Sequence, residues 1–393
     1  MTKQKILFIL PGFTFGGTVF STLNMIPFLK KDYDVYVLPM TYQGPVIKKY
    51  EETGVKLLPE SLNLSTMVGK IEREKNIYRK IFFLYRKVLR KILLKMGCDY
   101  ELKLFKKEAI RIEKKYSFDY VASCQEGAST YFASCFKNSK RIGWFRSEYS
   151  VYKTENNHSV LEKEQIIYPK FDNIVCVSQT TREDFISYFP DLSSKVLAIH
   201  NIQNVSTIQC KANELISDFP QSEFVIVSIG RMNPQKRFSY IPQIARKLID
   251  RGCCFKWIII GDGNTFGEWD KLQNQIISNN VSDVVLCLGS KLNPYPYISK
   301  ANLLVNTSYV EACPRVVIEA KILKTPVICA DFSSAREFVT SNIDGFVDSI
   351  DNIHIYIEKM IHDRALYNRI KTKCNEYNID NGVIYNQLKK LFQ

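Results

Sequence analysis

The sequence contains no apolar run long enough to cross a membrane. A spanning helix needs about 20 consecutive apolar residues, and no stretch of this chain of 393 residues reaches that length. Its start imitates a signal peptide, with Lys3 and Lys5 before an apolar segment at residues 6–10. That segment is too short, and Pro11 and Gly12 follow at once. We therefore predict a buried first strand instead of a leader or an anchor.

Cysteine is present but never in pairs with metal-binding spacing. The eleven cysteines are scattered, and none forms a Cys-x-x-Cys pair. This spacing argues against a zinc ribbon and favours reduced, mostly buried thiols in a cytoplasmic protein. A secreted protein with disulfides is the alternative.

Two common phosphate-binding signatures are also missing. The glycine turn at residues 11–18 follows the first apolar segment, but it has neither Gly-x-Gly-x-x-Gly nor a Walker lysine. Gly16 and Gly17 would still let backbone N–H groups approach a phosphate at the start of a helix. A plain glycine turn with no ligand is the alternative.

Short apolar segments alternate with amphipathic ones along the chain, which predicts an α/β fold with parallel sheets. The pattern pauses at residues 201–223, where polar residues and proline dominate, and then restarts. We predict two domains, residues 1–203 and 204–393, with the last helix packing back on the first domain. The predicted strands are 6–10, 35–38, 120–123, 174–177, 195–199, 224–229, 257–260, 284–288, 303–306, 326–330 and 345–347.

Positive charge is concentrated in one segment of the first domain. Residues 70–115 hold 16 Lys and Arg against 6 Asp and Glu, in a chain of formal net charge +14. Inside it, residues 77–96 place apolar and basic residues at helical spacing, which is typical of a helix lying on an anionic membrane surface. We expect the cations Arg86, Lys87, Arg90 and Lys91 to contact that surface. A solvated surface helix is the alternative, and no recognised nucleic-acid module accompanies the charge.

A glycine-led basic loop follows the first strand of the second half. Gly230 permits a sharp turn there, and Arg231 and Lys236 follow it. Ligands of open α/β sheets bind at the carboxyl ends of the strands, where these two cations can neutralise a diphosphate. A solvated basic loop is the alternative.

The most informative motif spans Glu311 to Glu319, just after the predicted strand 303–306. Proline suits the first turn of a helix, so a helix is expected to begin at or after Pro314. Its free N–H groups can bind phosphate or sugar hydroxyls. Glu319, about one turn inside, can accept hydrogen bonds from ribose hydroxyls, and Glu311 can reach the sugar.

At this point the sequence resembles the family 4 glycosyltransferases of group 1 type, retaining enzymes of the GT-B fold. The glycine–arginine–lysine loop and the Glu-x7-Glu motif carry the resemblance, which is strongest over residues 224–347. It implies two Rossmann-like parallel-sheet domains facing a central cleft. Further matches are residues 259–263, 288–289, 324–327, 335–337 and 344–345 in the second half, with 172–178 and Asn201 in the first.

The resemblance also implies residue roles. Arg231 and Lys236 would hold the donor diphosphate, Glu319 the ribose, and Glu311 the transferred sugar. Glu311, Arg231 and Lys236 are the candidate catalytic residues. The other donor-binding positions are Gly16 and Gly17 (closing over the donor), Gly230, Lys291 (near the base), Ala312, Cys313 and Pro314 (sugar), and Arg315 and Val316 (phosphate).

Two positions depart from the family pattern. Ala312 stands where the family often has glycine, which would narrow the sugar pocket. Arg146 stands where histidine is common, and arginine cannot act as a base near neutral pH. It could bind a phosphate or an acidic sugar instead.

The sequence therefore predicts a retaining glycosyltransferase of capsular, exopolysaccharide or lipopolysaccharide biosynthesis. We expect a nucleotide diphosphate sugar as donor, UDP by default and GDP as runner-up. The acceptor would be a glycan or a polyprenyl-diphosphate-linked glycan, at the inner face of the cytoplasmic membrane. We expect no cofactor and no metal ion, because the lysine–arginine pair can replace one. The alternatives are a non-hydrolysing sugar-nucleotide epimerase and an inactive homologue that acts as a scaffold.

Overall fold

The structure is a computed structural model that describes residues 3–14, 16–156 and 158–393. It divides into two compact units, one of residues up to Gln203 together with Asn381–Gln393, and one of Asn204–Asp380. None of the helices in the described ranges combines the length and the low polarity that crossing a bilayer requires.

The first unit is built on a seven-stranded parallel sheet in the order β3-β2-β1-β4-β5-β6-β7. The strands are β1 (Lys5–Leu10), β2 (Asp34–Pro39), β3 (Lys56–Leu57), β4 (Tyr120–Ser123), β5 (Lys140–Phe145), β6 (Asn173–Cys176) and β7 (Val196–Ala198). The helices between them are α1 (Gly17–Leu29), α2 (Ile47–Glu52), α3 (Leu62–Val68), α4 (Ile77–Lys95), α5 (Tyr100–Tyr116), α6 (Ala128–Ala133), α7 (Tyr149–Asn156), α8 (His158–Ile167) and α9 (Gln179–Tyr188).

The second unit is built on a six-stranded parallel sheet in the order β10-β9-β8-β11-β12-β13. Its strands are β8 (Val225–Ile229), β9 (Lys256–Ile260), β10 (Val285–Cys287), β11 (Leu303–Asn306), β12 (Val327–Ala330) and β13 (Gly345–Asp348). Its helices are α10 (Val205–Ala212), α11 (Ile241–Asp250), α12 (Glu268–Ser278), α13 (Tyr295–Lys300), α14 (Arg315–Ile322), α15 (Ala335–Phe338), α16 (Ile353–His362) and α17 (Arg364–Glu376).

Both sheets are parallel throughout and carry helices between consecutive strands, so the predicted α/β class is confirmed. Apolar side chains fill the strands because a parallel sheet is covered on both faces. Residues Ile6 to Leu10 of β1, for example, are fully buried. All eleven cysteines are free thiols, six of them buried.

The last helix, α18 (Asn381–Leu391), belongs to the first unit. The ring of Phe392, just after it, lies 5.5 Å from that of Tyr33 and 5.2 Å from that of Tyr120. Asp32 accepts a hydrogen bond from Tyr385 at 2.6 Å. Residues at the end of the described chain thus complete the core of the sheet with which the chain begins.

Helix α4 is amphipathic as predicted, and four of its cations, Arg79, Arg86, Lys87 and Arg90, contact the protein. Of the four cations expected to contact an anionic surface, Arg86, Lys87 and Arg90 are partly buried against the protein and Lys91 is exposed, and their contact with a membrane stays a prediction. Acidic and carbonyl groups of the first unit attract the cations, which leaves the apolar side outward. The inward contacts are Arg79 with Glu60 (2.8 Å), Lys87 with the carbonyl oxygen of Gly69 (2.9 Å), Arg90 with Glu101 (2.7 Å) and Arg86 over the ring of Tyr100 (5.8 Å).

Candidate functional site

The loops that follow β8 and β9 interlock at two glycines. The N–H of Gly230 donates to the carbonyl oxygen of Ile260 at 3.0 Å. A Cβ placed on Gly261 would lie 1.8 Å from the carbonyl oxygen of Gly230, a distance that no side chain can occupy. Gly261 is therefore required for these two loops to meet at the carboxyl edge of the sheet, where ligands of open α/β folds bind.

Lys236 is positioned by the turn that follows this junction. Residues Pro234–Lys236 form a 3-10 helix, and the Asn233 side chain caps it by accepting a hydrogen bond from the Lys236 N–H at 3.2 Å. The aliphatic part of the Lys236 side chain runs over Gly230, where an added Cβ would lie 3.1 Å from its Cε. Glycine at this position thus gives the lysine stem room to cross the loop.

The Lys236 ammonium group forms an ion pair with Glu311. The Glu311 carboxylate also accepts a hydrogen bond from the Ser308 hydroxyl at 2.9 Å, and the Ser334 hydroxyl donates to the Glu311 carbonyl oxygen at 2.5 Å. The side chains of Lys236 and Glu311 are only 20% and 17% exposed. The structure therefore brings together the basic loop of Lys236 and the motif that begins at Glu311, although the two residues are 75 positions apart in sequence. They form one half-buried pair of a cation and a carboxylate.

Arg231 lies in the same loop and is exposed. Within the described part of the chain, its guanidinium has no hydrogen-bond or ion-pair partner. A guanidinium with all of its N–H groups available can hold a phosphate with two parallel hydrogen bonds. The loop after β8 thus offers two cations, one already paired and one available.

The second glutamate of the motif, Glu319, is buried inside α14. Arg315, one turn earlier, donates to its carboxylate at 3.1 Å, and Tyr295 at the start of α13 also hydrogen bonds to it. Burial raises the pKa of Glu319, and Arg315 and Tyr295 offset part of that rise by favouring the charged form. Burial, together with the nearby Glu319 carboxylate, raises the pKa of Tyr295 to about 12.

Helix α14 begins at Arg315, directly after Pro314, as the sequence predicted. Pro314 is the capping residue and no side chain caps the helix, although the N–H groups of Val317 and Ile318 donate to the Pro314 carbonyl oxygen. Ala312 and Pro314 are buried, whereas Cys313, Arg315 and Val316 are partly exposed. The first turn of α14 therefore follows directly on the loop that carries Glu311.

Lys291, predicted to lie near the base of the donor, is held by an acidic partner. Its ammonium group contacts Asp218 at 2.6 Å, and the Tyr297 hydroxyl donates to the same carboxylate at 2.5 Å. Asp218 comes from the polar segment before β8, for which the sequence predicted only a boundary between two domains. Lys291 lies just before α13, and the first residue of that helix is Tyr295, which contacts Glu319.

In the first unit, Gly16 and Gly17 form the start of α1. Gly16 is the capping residue with an extended backbone, and Phe20 donates its N–H to the Gly16 carbonyl oxygen at 3.2 Å. A Cβ on Gly16 would meet no atom within 4 Å. The protein itself therefore does not need a glycine there for space, which leaves the approach to this helix end open.

Arg146 lies at the carboxyl end of β5 and is fixed by neighbouring loops. Its Nε donates to the carbonyl oxygen of Cys124 at 2.6 Å, and its Nη1 donates to Asn201 Oδ1 at 2.7 Å. The backbone N–H of Arg146 donates to Glu126 at 3.0 Å. These contacts hold the guanidinium as a fixed positive charge at this edge of the first sheet.

Comparison with known proteins finds a family model that is similar to most of the second unit. Residues 212–376 match the family model of the group 1 glycosyl transferases. The second unit therefore contains a domain similar to the group 1 glycosyl transferases. The Lys236–Glu311 pair, the Glu319 cluster and the start of α14 all lie in this domain.

Two curated relatives carry the same kind of activity in their names. An uncharacterized glycosyltransferase of Methanocaldococcus jannaschii is 27% identical over 221 residues, 54% of this chain and 53% of the relative. The second relative is the N-acetylgalactosamine-N,N'-diacetylbacillosaminyl-diphospho-undecaprenol 4-alpha-N-acetylgalactosaminyltransferase of Campylobacter jejuni, 28% identical over 238 residues, 58% of this chain and 62% of the relative. The chain thus matches between half and two thirds of the length of these relatives.

Solved structures extend the likeness to both units at the level of the fold. Anabaena HepE in complex with UDP superposes with a TM-score of 0.73 over 99% of each chain, at 15% identity. The group 1 glycosyl transferase domain and the first unit together have the GT-B fold, as predicted.

Several residues of the site could not be found from the sequence. Ser308, Ser334 and Tyr295 hold the two glutamates, and Asp218 holds Lys291. Isolated serine, tyrosine and aspartate residues give no spacing signal, because they meet the motif only through the packing of β11, α13 and α15. Sequence motifs therefore identify the charged residues of the site but not the residues that hydrogen bond to them.

Proposed function

We propose that the chain is a retaining glycosyltransferase that moves a sugar from a UDP-sugar to a lipid-linked glycan acceptor in polysaccharide biosynthesis. The observation that carries the proposal is the half-buried Lys236–Glu311 pair, together with the exposed Arg231 in the loop of Lys236, within the residues that match the group 1 family model. This arrangement suits a ligand with a negatively charged diphosphate next to hydroxyl groups.

The diphosphate is the leaving group of the proposed reaction. Lys236 and Arg231 stabilise the charge that develops on it, and the positive end of the α14 dipole adds to this stabilisation. Such preorganised groups supply much of the rate of comparable enzymes. Lys236 must shift part of its interaction from Glu311 to the phosphate, which frees the Glu311 carboxylate to accept hydrogen bonds from the sugar.

Retention is proposed to follow from attack on the face that the diphosphate leaves. The departing diphosphate accepts the proton of the acceptor hydroxyl, so that no separate nucleophile is needed. Glu311 is engaged with Lys236 and Ser308, which suits it to binding the sugar better than to attacking it. Proton NMR of the first-formed product gives the anomeric configuration, and an inverted product would contradict this part of the proposal.

The nucleoside is proposed to lie over the cluster of Glu319, Tyr295 and Arg315. Ribose hydroxyls can donate to a buried carboxylate, and a buried carboxylate favours partners that donate two hydrogen bonds. UDP is the proposed nucleotide because HepE, which shares the fold, is described in complex with UDP. GDP is the other outcome that a binding screen can return.

The acceptor is proposed to be a polyprenyl-diphosphate-linked glycan at the inner face of the cytoplasmic membrane. The support is the name of the Campylobacter jejuni relative, which specifies a diphospho-undecaprenol acceptor. Arg146, fixed between Cys124 and Asn201 at the edge of the first sheet, is the proposed contact for a phosphate or an acidic sugar.

The proposed reaction uses no metal ion to bind the donor diphosphate, because Lys236 and Arg231 supply the positive charge. The sequence contains one Asp-x-Asp stretch, Asp32 to Asp34, of the kind that can hold a metal-bound nucleotide. Its carboxylates are engaged elsewhere, since Asp32 pairs with Lys389 at 2.9 Å and Asp34 lies 3.5 Å from Lys56. Asp34 also lies at the amino end of β2, the opposite end to the one where ligands of such sheets bind.

The test is a calorimetric binding screen of the purified chain against UDP, GDP and ADP, with and without EDTA. We expect UDP to bind, EDTA to have no effect, and Lys236→Ala to weaken the binding by an order of magnitude or more. Lys300→Ala, which removes an exposed lysine of α13, is the matched control. Absence of binding to every nucleotide would favour the inactive scaffold, and binding that requires a divalent ion would contradict the metal-free mechanism.

A further inference from the structure

Helix α4 exposes a continuous row of apolar side chains. Ile77, Ile81, Leu84, Val88 and Ile92, which we call the α4 stripe, follow one another at helical spacing and are between 47% and 61% exposed. Single exposed apolar residues are ordinary on protein surfaces, whereas a contiguous row marks an interaction site. Tyr78 and Tyr85, also exposed, lie along one side of the row.

The stripe is outward because the rest of the helix is anchored inward. Phe83 is fully buried beneath α4, and Arg79 and Arg90 form ion pairs with Glu60 and Glu101 at 2.8 Å and 2.7 Å. Rotating the helix to hide the stripe would break these contacts and leave Glu101, only 9% exposed, without its cation. The fold therefore holds the apolar side in contact with solvent.

Charge decides which partner suits the stripe. The helix contains no Asp or Glu, and Lys80, Lys91 and Lys95 border the outward side, the last two being exposed. An apolar row with basic borders and tyrosines at its side matches an anionic lipid surface, where acyl chains meet negative headgroups. A second copy of the chain matches poorly, because pairing two such helices would bring their lysines together.

We propose that the α4 stripe is a membrane-docking surface that inserts into the interface of an anionic lipid bilayer. The helix lies parallel to the surface, with the stripe among the upper acyl chains and Lys80, Lys91 and Lys95 at the headgroups. Tyr78 and Tyr85 occupy the boundary that amphipathic aromatic rings prefer. Arg86, Lys87 and Arg90 stay bound to the protein and do not contact lipid.

This surface would bring the chain to the lipid-linked acceptor of the proposed function, but its test needs neither donor nor acceptor. The full chain is sedimented with vesicles of phosphatidylcholine alone and with vesicles in which phosphatidylglycerol replaces part of it. We expect binding to the anionic vesicles. Leu84→Ser with Val88→Ser should weaken it by about a hundredfold, since each transfer of such a side chain out of water is worth about tenfold.

Matched controls separate the stripe from general surface hydrophobicity. Leu215→Ser and Ile277→Ser remove apolar residues that are 97% and 68% exposed in the second unit, and they should bind vesicles as the parent chain does. Lys91→Gln with Lys95→Gln should weaken binding to anionic vesicles and remove most of its salt dependence. Circular dichroism and light scattering establish that each variant is folded and whether it self-associates.

Three results would overturn the proposal. One is equal vesicle binding by the parent chain and the Leu84→Ser/Val88→Ser variant. Another is no vesicle binding by the parent chain at low salt. The third is a concentration-dependent dimer of the parent chain that the same double variant dissociates, since the stripe would then be an interface with a second copy. Loss of vesicle binding in that variant alone, with nucleotide binding unchanged, supports it.

Discussion

Replacing Lys236 by methionine removes one positive charge from the proposed diphosphate site while keeping the stem that crosses Gly230. An added Cβ at Gly230 would lie within 3.3 Å of three carbons of that stem, so a shorter side chain would also open a gap in the loop. Methionine has nearly the length of the stem and no charge. The Lys236→Met variant therefore isolates the electrostatic contribution from the packing contribution.

The expected loss of UDP affinity can be estimated from the contacts of the Lys236 ammonium group. A hydrogen bond to a charged group contributes about 1.5–3 kcal/mol, which corresponds to roughly 10- to 150-fold in affinity. The upper part of that range applies, because the variant also leaves Glu311, 17% exposed, without its cation beside the incoming phosphates. The double variant Lys236→Met/Glu311→Gln removes that carboxylate charge, so it should recover part of the UDP affinity.

The assay is calorimetric titration with UDP in EDTA, followed by initial rates once a donor sugar is known. Lys300→Met serves as the control for loss of an exposed lysine in the same unit. Unfolding in urea shows whether the loop has been damaged. Unchanged UDP affinity in a folded Lys236→Met chain would refute the assignment of Lys236 to the diphosphate, whatever the rates show.

Three further predictions concern Glu319, Gly261 and Glu164. Glu319→Gln should weaken UDP binding by about tenfold and 2′-deoxy-UDP binding by less, because the carboxylate is proposed to accept from ribose hydroxyls; equal losses in titrations of both ligands would contradict this. Gly261→Ala places a carbon against the Gly230 carbonyl oxygen, so it should lower the free energy of unfolding by about 2–4 kcal/mol and weaken UDP binding, as urea titration and calorimetry can measure. Burial raises the pKa of Glu164, which hydrogen bonds to Tyr149, to about 7, so its protonated form favours the folded state. Stability should therefore fall by about 3 kcal/mol between pH 4.5 and pH 7 and fall no further above it, and Glu164→Gln should lack this part of the slope in urea unfolding at several pH values.

Much of the fold was predictable because buried parallel strands give short apolar runs. Strands β4 and β11 begin and end at the predicted residues, and the bounds of the other predicted strands differ from the observed ones by at most one residue. No strand was predicted for the short β3 or for β5. Lys140 and Arg141 open β5, and Gly143 interrupts its apolar run because the ring of Phe171 packs over that glycine at 3.3 Å from an added Cβ.

The site was predictable where residues are tied to a motif and unpredictable where they are tied to packing. Gly230, Lys236 and Glu311 were named from spacing, and the structure brings them together. The direction in which α4 presents its two sides could not be predicted. Helical periodicity shows that apolar and basic residues separate, but acceptors such as Glu101 and the Gly69 carbonyl decide which side is buried.

The return of residues 381–393 to the first unit affects the order in which a ribosome can complete the two units. Until Phe392 has been synthesised, the rings of Phe8, Tyr33 and Tyr120 lack the aromatic ring that packs against them. Synthesis of Asn204–Asp380 comes first and takes roughly 10 to 35 s at about 5–20 residues per second. During that time the second unit can fold whole, while the first, although begun earlier, still exposes an aromatic surface. A nascent chain that stalls during synthesis of the second unit would therefore expose aromatic side chains of the first unit, which are the kind of surface that chaperones bind.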